Sequence, residues 1–102
     1  MTVEELRARL TEDPSSVFVL DVREPHERAY CCLAGSVHIP MREVAQRWPE
    51  LPRDRPVVVY CHTGGRSALV CGFLRSKGIP AVNLLGGIDD WSARIDPSLP
   101  RY

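Results

Sequence analysis

A chain of 102 residues makes one domain, and a domain of this size buries about two-thirds of the surface its unfolded form exposes, enough for one core without a disulfide or metal staple. Thirteen basic residues balance thirteen acidic ones, with both signs scattered along the chain, which excludes binding driven by bulk attraction to nucleic acid or an anionic membrane. No apolar run approaches the roughly 20 residues that cross a bilayer. The charged, periodic start MTVEELRARL is not a secretory signal, so the expected location is cytoplasmic.

The first element expected is a short amphipathic helix over TVEELRARL, capped by Thr2 with Glu5 at capping-box spacing and Leu6 and Leu10 on one face. TEDPSS is a polar turn. VFVLDV, residues 17 to 22, is a continuous apolar run of the kind found in strands covered on both faces. REPHERAY reads as one short helix. Val37 to Ile39 form a short strand stopped by Pro40. A helix is expected from Arg42 to Trp48, with Val44 and Trp48 on one face and Pro49 and Pro52 ending it. RDRPVVVYC is a turn and then a strand. RSALVCGFLRSKGI carries the strongest helical pattern, with Ala68, Leu69, Cys71, Gly72, Leu74 and Arg75 near a 3.6 period and Gly78 as its stop. AVNLL is a strand, Gly86-Gly87 a turn, IDDWSARI a last helix, and DPSLPRY a tail that is either packed on the surface or frayed. Strands that alternate with helices predict an α/β fold with a parallel sheet and helices on both faces. Ligands of such sheets bind beyond the carboxyl ends of the strands, where Asp21, Cys61 and Gly86 fall.

The stretch CHTGGRS, residues 61 to 67, sits between a strand and a helix N-terminus. The first N–H groups of a helix lack partners, carry partial positive charge and bind anions. A cysteine placed there has a lowered pKa and a larger thiolate fraction. Gly64 and Gly65 permit backbone with φ > 0, so successive N–H groups can curl around one point. Arg66 adds a forked cation suited to an oxyanion, and Ser67 either caps the helix or turns its hydroxyl into the loop. His62 and Thr63 line the mouth, where their N–H groups matter more than their side chains. Together these residues describe a nucleophilic thiolate facing an anionic substrate. A buried structural thiol before an ordinary turn is the competing reading of the same residues.

Four ordered segments resemble those of rhodanese-like domains, in particular small single-domain sulfurtransferases, over nearly the whole chain. LDVREPHE, residues 20 to 27, is similar to the family's Asp-x-Arg-x-x-x-Glu signature; AGSVHIPM at 34 to 41, VVVYCHTGGRS at 57 to 67 and NLLGGIDDW at 83 to 91 resemble its later segments. The closing IDPSLPRY resembles the end of rhodanese domains fused to adenylating enzymes for ubiquitin-like sulfur carriers. The resemblance implies a three-layer sandwich with a parallel sheet of four or five strands, the first family strand falling at or before Met1. It implies catalysis by Cys61, substrate binding by His62, Thr63, Gly64, Gly65, Arg66 and Ser67, and support from Asp21 and Arg23.

Loop length separates two activities of the resembled fold. Related dual-specificity phosphatases use Cys-x5-Arg, whereas here four residues separate Cys61 from Arg66, the tighter loop of sulfurtransferases. Arg66 departs from the neutral loop end of mercaptopyruvate-type enzymes and favours thiosulfate or another anionic donor. The implied reaction is ping-pong, through a persulfide on Cys61, to cyanide, a small thiol or a protein thiol. The alternatives are a relay module loaded by a partner desulfurase and a phosphatase or arsenate reductase. No cofactor or metal is implied: the chain has no C-x-x-C, and adjacent Cys31 and Cys32 suit neither a disulfide nor zinc. Asp21 either orients the loop or Arg66 through charge-assisted hydrogen bonds, or belongs to a structural ion pair with Arg23 or Glu27. Cys71 is read as core, His38 as a packed strand residue and His26 as solvated; for Cys31 and Cys32 an exposed, oxidisable thiol is the lesser of the two readings, behind packing. Oligomeric state leaves no mark in the sequence.

Overall fold

Val57, Val58, Val59 and Tyr60 are all buried, so neither face of their strand meets water. β-branched side chains favour extended backbone, and a strand apolar on both sides needs a covering layer on each. The computed structural model, which describes residues 1–102, supplies both layers. Its strands are β1 (Phe18–Asp21), β2 (Val37–His38), β3 (Val57–Tyr60) and β4 (Ala81–Asn83), and its helices α1 (Val3–Glu12), α2 (Pro25–Tyr30), α3 (Val44–Arg47), α4 (Gly65–Ser76) and α5 (Gly87–Arg94). The sheet order is β2-β1-β3-β4 and every pairing is parallel. Leu20 is the register point, opposite Val37 on one side and Val59 on the other.

Alternation along the strands sorts their side chains into two cores. Leu20, Val57 and Val59 pack with Val44 of α3 and Val70, Cys71 and Leu74 of α4. Val19, Val58 and Tyr60 pack with Val3 and Leu6 of α1 and Ile88 of α5. This is the expected three-layer α/β sandwich. Each fully buried aliphatic side chain contributes about 1.5–3 kcal/mol to it. α1 begins as its sequence implies: Glu5 N donates to Thr2 Oγ1 at 3.1 Å, and Thr2 N donates to Glu5 Oε1 at 3.0 Å. No helix is long and apolar enough to cross a membrane.

Two details differ from expectation, residues 42–48 and the face of α4, and two left open are decided, the strand count and the tail. The sheet has four strands, and Met1 alone lies along the outer edge of β4, its amino group donating to Asn83 O and its carbonyl accepting from Leu85 N, both at 2.9 Å. Residues 42–48 do not form one helix: the single α-turn Val44–Arg47 lies between 3-10 turns at Met41–Glu43 and Trp48–Glu50. Pro49 is the cause on the far side, because it has no N–H to continue the ladder. The face of α4 is rotated from the expected one. Ser67, Val70, Cys71 and Leu74 are buried, while Ala68, Gly72 and Arg75 face solvent and Leu69 is 69% exposed. The tail after α5 is packed: Ser92 Oγ donates to Leu99 O, and Leu99 joins the α1–α5 core.

Candidate active site

Parallel strands bring their carboxyl ends to one edge, which gathers Asp21 from β1, Cys61 beyond β3 and the turn after β4. Cys61 is 1% exposed. Its Sγ accepts from Gly64 N at 3.1 Å and from Ser67 N at 3.4 Å, and lies 3.3 Å from Ser67 Oγ. The chain can turn this tightly because Gly64 adopts φ +114°, a backbone that L side chains rarely take. Gly65 does not use that freedom; it is the first residue of α4. Ser67 caps nothing: it sits inside the first turn of α4 with its hydroxyl oxygen beside the sulfur. Burial alone would raise the Cys61 pKa. Hydrogen bonds that the ionised sulfur can take from the Ser67 hydroxyl and from the N–H groups of Ser67, Gly64 and Thr63 more than offset it, and the thiol lies below its ordinary value. Cys71, buried with no such donors, is pushed up instead.

The outside of the loop is held by α5. Ile88 N donates to Cys61 O and Asp89 N to His62 O, both at 3.0 Å. In a planar trans peptide the N–H points opposite the C=O. Turning these two carbonyls toward α5 therefore turns the N–H groups of His62 and Thr63 away from it. Gly87 makes the approach possible. It has φ +59°, and a Cβ there would stand 2.5 Å from His62 O and 2.6 Å from Cys61 O.

Arg66 does not reach Asp21. Its Nη1 and Nη2 donate to Glu27 Oε1 and Oε2 at 2.7 and 2.9 Å, a two-pronged pair between α4 and α2. The Arg66 guanidinium holds the Glu27 carboxyl well below the usual carboxylate range, and Glu27 in turn raises Arg66. Tyr102 Oη donates to Glu27 Oε2 at 2.7 Å and accepts from Arg23 Nη1 at 3.0 Å. The Tyr102 ring stacks on His62 with centroids 4.0 Å apart, and Arg101 pairs with Asp89 at 3.0 Å, so the tail lies across the loop. Asp21 forms a hub beneath. It accepts from Arg23 N, Nε and Nη2 at 2.9 to 3.0 Å, from Tyr60 Oη at 3.0 Å and from Arg28 Nη1 at 3.3 Å. Both Asp21 and Arg23 have side chains with no exposure. Of the two roles open for Asp21, the geometry shows the structural ion pair.

The structure thus brings Cys61, Gly64 and Ser67 to the sulfur, turns the Thr63 side chain to solvent and half-buries His62. Arg66 lies beside the loop in the hands of Glu27. Sequence reasoning missed Glu27, Asn83 and Tyr102 as site residues. Glu27 had a signal, as the acid closing LDVREPHE; Asn83, whose Oδ1 accepts from Ser67 Oγ at 2.5 Å, and Tyr102 had none. Outside the loop, His38 Nε2 lies 2.7 Å from Arg23 O and His26 is exposed. Cys31 and Cys32 are both half-buried, with Cys31 Sγ 3.6 Å from Pro100 O.

Comparison with known proteins agrees with this geometry. The family model for the Rhodanese-like domain matches residues 2–94. A sulfurtransferase of Allochromatium vinosum is 39% identical over 90 residues, covering 87% of this chain and 83% of that protein. A tRNA sulfurtransferase of Desulfurococcus amylolyticus is 39% identical over 83 residues, which are 81% of this chain and 16% of that protein. The crystal structure of a rhodanese-like domain protein from Staphylococcus aureus superposes with a TM-score of 0.86 at 30% identity, covering all of this chain and 96% of that one. The chain belongs to the rhodanese-like domain family of sulfurtransferases.

Proposed function

We propose that the chain moves a sulfane sulfur from thiosulfate, or another anionic donor, to a thiophilic acceptor through a persulfide on Cys61. The observation that carries this is the sulfur's surroundings: Sγ receives the N–H groups of Gly64 and Ser67 in a loop with only four residues between Cys61 and Arg66. The Cys61 thiolate attacks the outer sulfur of thiosulfate; the S–S bond of the donor breaks, and sulfite leaves with its electron pair. The terminal sulfur of the resulting persulfide carries the charge that the loop N–H groups stabilise. Cyanide, a small thiol or a protein thiol then attacks that sulfur, and Cys61 leaves as the thiolate with which it began. No external oxidant or base enters. The depressed thiol pKa favours the ionised nucleophile at the start and the leaving thiolate at the end. A cytoplasmic location would supply reduced acceptors.

A second reading rests on Arg66. Its guanidinium is already paired with Glu27 through two hydrogen bonds, so a small dianion must compete for it. A module loaded by a partner's persulfide needs no free cation. Intact mass after exposure to thiosulfate tests both. Under the first reading the protein gains one sulfur, reversibly with reductant, and Cys61→Ser gains none and loses thiosulfate:cyanide turnover. Loading by a persulfide-bearing desulfurase with none from thiosulfate favours the relay. Sulfur uptake undiminished in Cys61→Ser refutes both.

A further inference from the structure

The Ser67 hydroxyl has one proton and two neighbours that can take it. Asn83 decides where it goes. Asn83 Nδ2 donates to Gly64 O at 3.2 Å, and a main-chain carbonyl can only accept, so the amide is oriented with its NH2 toward the loop. Its Oδ1 therefore faces Ser67 Oγ at 2.5 Å and must accept from it. With the proton committed to Asn83, Ser67 Oγ can meet Cys61 Sγ, 3.3 Å away, only as an acceptor of the thiol S–H. This arrangement satisfies the protonated thiol.

Ionisation of Cys61 reverses the demand. The thiolate keeps the N–H donors of Gly64 and Ser67. It gains the hydroxyl as a further, charge-assisted donor only when the Ser67 proton swings away from Asn83 Oδ1. We propose that Asn83 is a positioning residue that competes with the Cys61 sulfur for the single Ser67 proton. Through this competition it holds the thiol pKa above the value the bare loop would set, while its NH2 group clamps the loop at Gly64. The hydroxyl turns toward the sulfur when Cys61 is ionised and back to Asn83 when the thiol re-forms. The proposal rests on Cys61 being the reacting sulfur, but concerns the state of the thiol, whatever the donor.

The test is the pH profile of Cys61 alkylation by iodoacetamide, followed by peptide mass in four proteins: wild type, Asn83→Ala, Ser67→Ala and the double variant. Asn83→Ala is expected to shift the profile to lower pH and to raise the rate about three- to tenfold at a pH one unit below the wild-type midpoint. In the Ser67→Ala background the same change is expected to lack that acceleration, because no proton remains to compete for. Loosening of the Gly64 clamp acts in both backgrounds, so the cycle separates it from competition. A profile unchanged or moved upward by Asn83→Ala, or moved equally in both backgrounds, overturns the proposal. Should Asn83→Ala fail to fold, the Asn83 Cγ NMR shift serves. It is expected to follow Cys61 ionisation in the wild type and to move by less than half as much in Ser67→Ala; equal movement overturns the proposal. Alkylation reads the thiol alone, so failure of sulfur transfer itself would show separately, in the thiosulfate mass experiment.

Discussion

Replacing Asp21 by Asn tests whether the buried hub is structural. The wild-type carboxylate is unexposed and accepts three hydrogen bonds from Arg23, one from Tyr60 and one from Arg28. An amide in its place removes the charge that balances the unexposed Arg23 and offers an NH2 donor where only donors approach. Breaking a buried pair from one side costs about 3–5 kcal/mol, because the surviving charge stays buried and uncompensated. That is a large share of the roughly 5–15 kcal/mol of a typical domain. At about 4–5 °C per kcal/mol for a chain of this size, the midpoint should fall by roughly 12–25 °C. Thermal and urea unfolding followed by circular dichroism measure the loss, and sulfur transfer is assayed well below the lowered midpoint, where near-normal activity is expected. Wild-type stability with lost activity would refute the structural assignment and place Asp21 in the chemistry. The pH dependence carries the same sign. Burial raises the Asp21 pKa, but the hydrogen bonds from Arg23 outweigh it and the folded value lies below the unfolded one. Its contribution is thus complete above the unfolded carboxyl value and is lost as pH falls through the folded one, so wild type should lose its stability advantage over Asp21→Asn in acid.

Three further outcomes follow from the loop, α4 and the tail. Gly87→Ala should destabilise by about 3–4 kcal/mol and cut sulfur transfer more than tenfold: roughly 1–2 from a side chain at φ > 0 and about 1 for each loop hydrogen bond displaced by the new Cβ. Gly72→Ala, with nothing within 4 Å of its Cβ on the exposed side of α4, should instead stabilise by about 0.5–1 kcal/mol in the same urea titration. Tyr102→Phe keeps the ring on His62 but leaves Glu27 and Arg23 each one hydrogen bond short; about 1–2 kcal/mol of stability should go, measured by urea denaturation.

The parts legible in the sequence are those decided by short-range chemistry. The run Val57 to Tyr60 announces a strand covered on both sides, and Thr2 with Glu5 announces the start of α1. The Cys61 turn is readable because its glycine, its sulfur and the helix that follows are contiguous. α4 misled because Ala68, Leu69, Val70, Cys71, Gly72 and Phe73 are small or apolar all round, so several faces fit a helical period and only the neighbouring strands choose between them. Residues 42–48 misled because Pro49 marks where the helix stops but not that Met41–Glu43 and Trp48–Glu50 wind as 3-10 turns around a single α-turn. The Glu27–Arg66 pair joins residues 39 apart, and Tyr102 meets Glu27 across 75; nothing local encodes such meetings. They follow from the topology, which sets α2, the Cys61 loop and the tail at one edge.

A site for negative charge is usually counted by its donors. This loop shows that lone pairs must also be disposed of. The carbonyl oxygens of Cys61 and His62 would repel an anionic sulfur if they faced it, and a loop this tight has little freedom to hide them. α5, none of whose atoms hydrogen-bonds the sulfur, absorbs both oxygens with the spare N–H groups of its first turn. The polarity of the loop's inner side is therefore written from behind, by residues 86 to 89, and shifting α5 along its axis would retune the charge preference of the site with every loop residue unchanged.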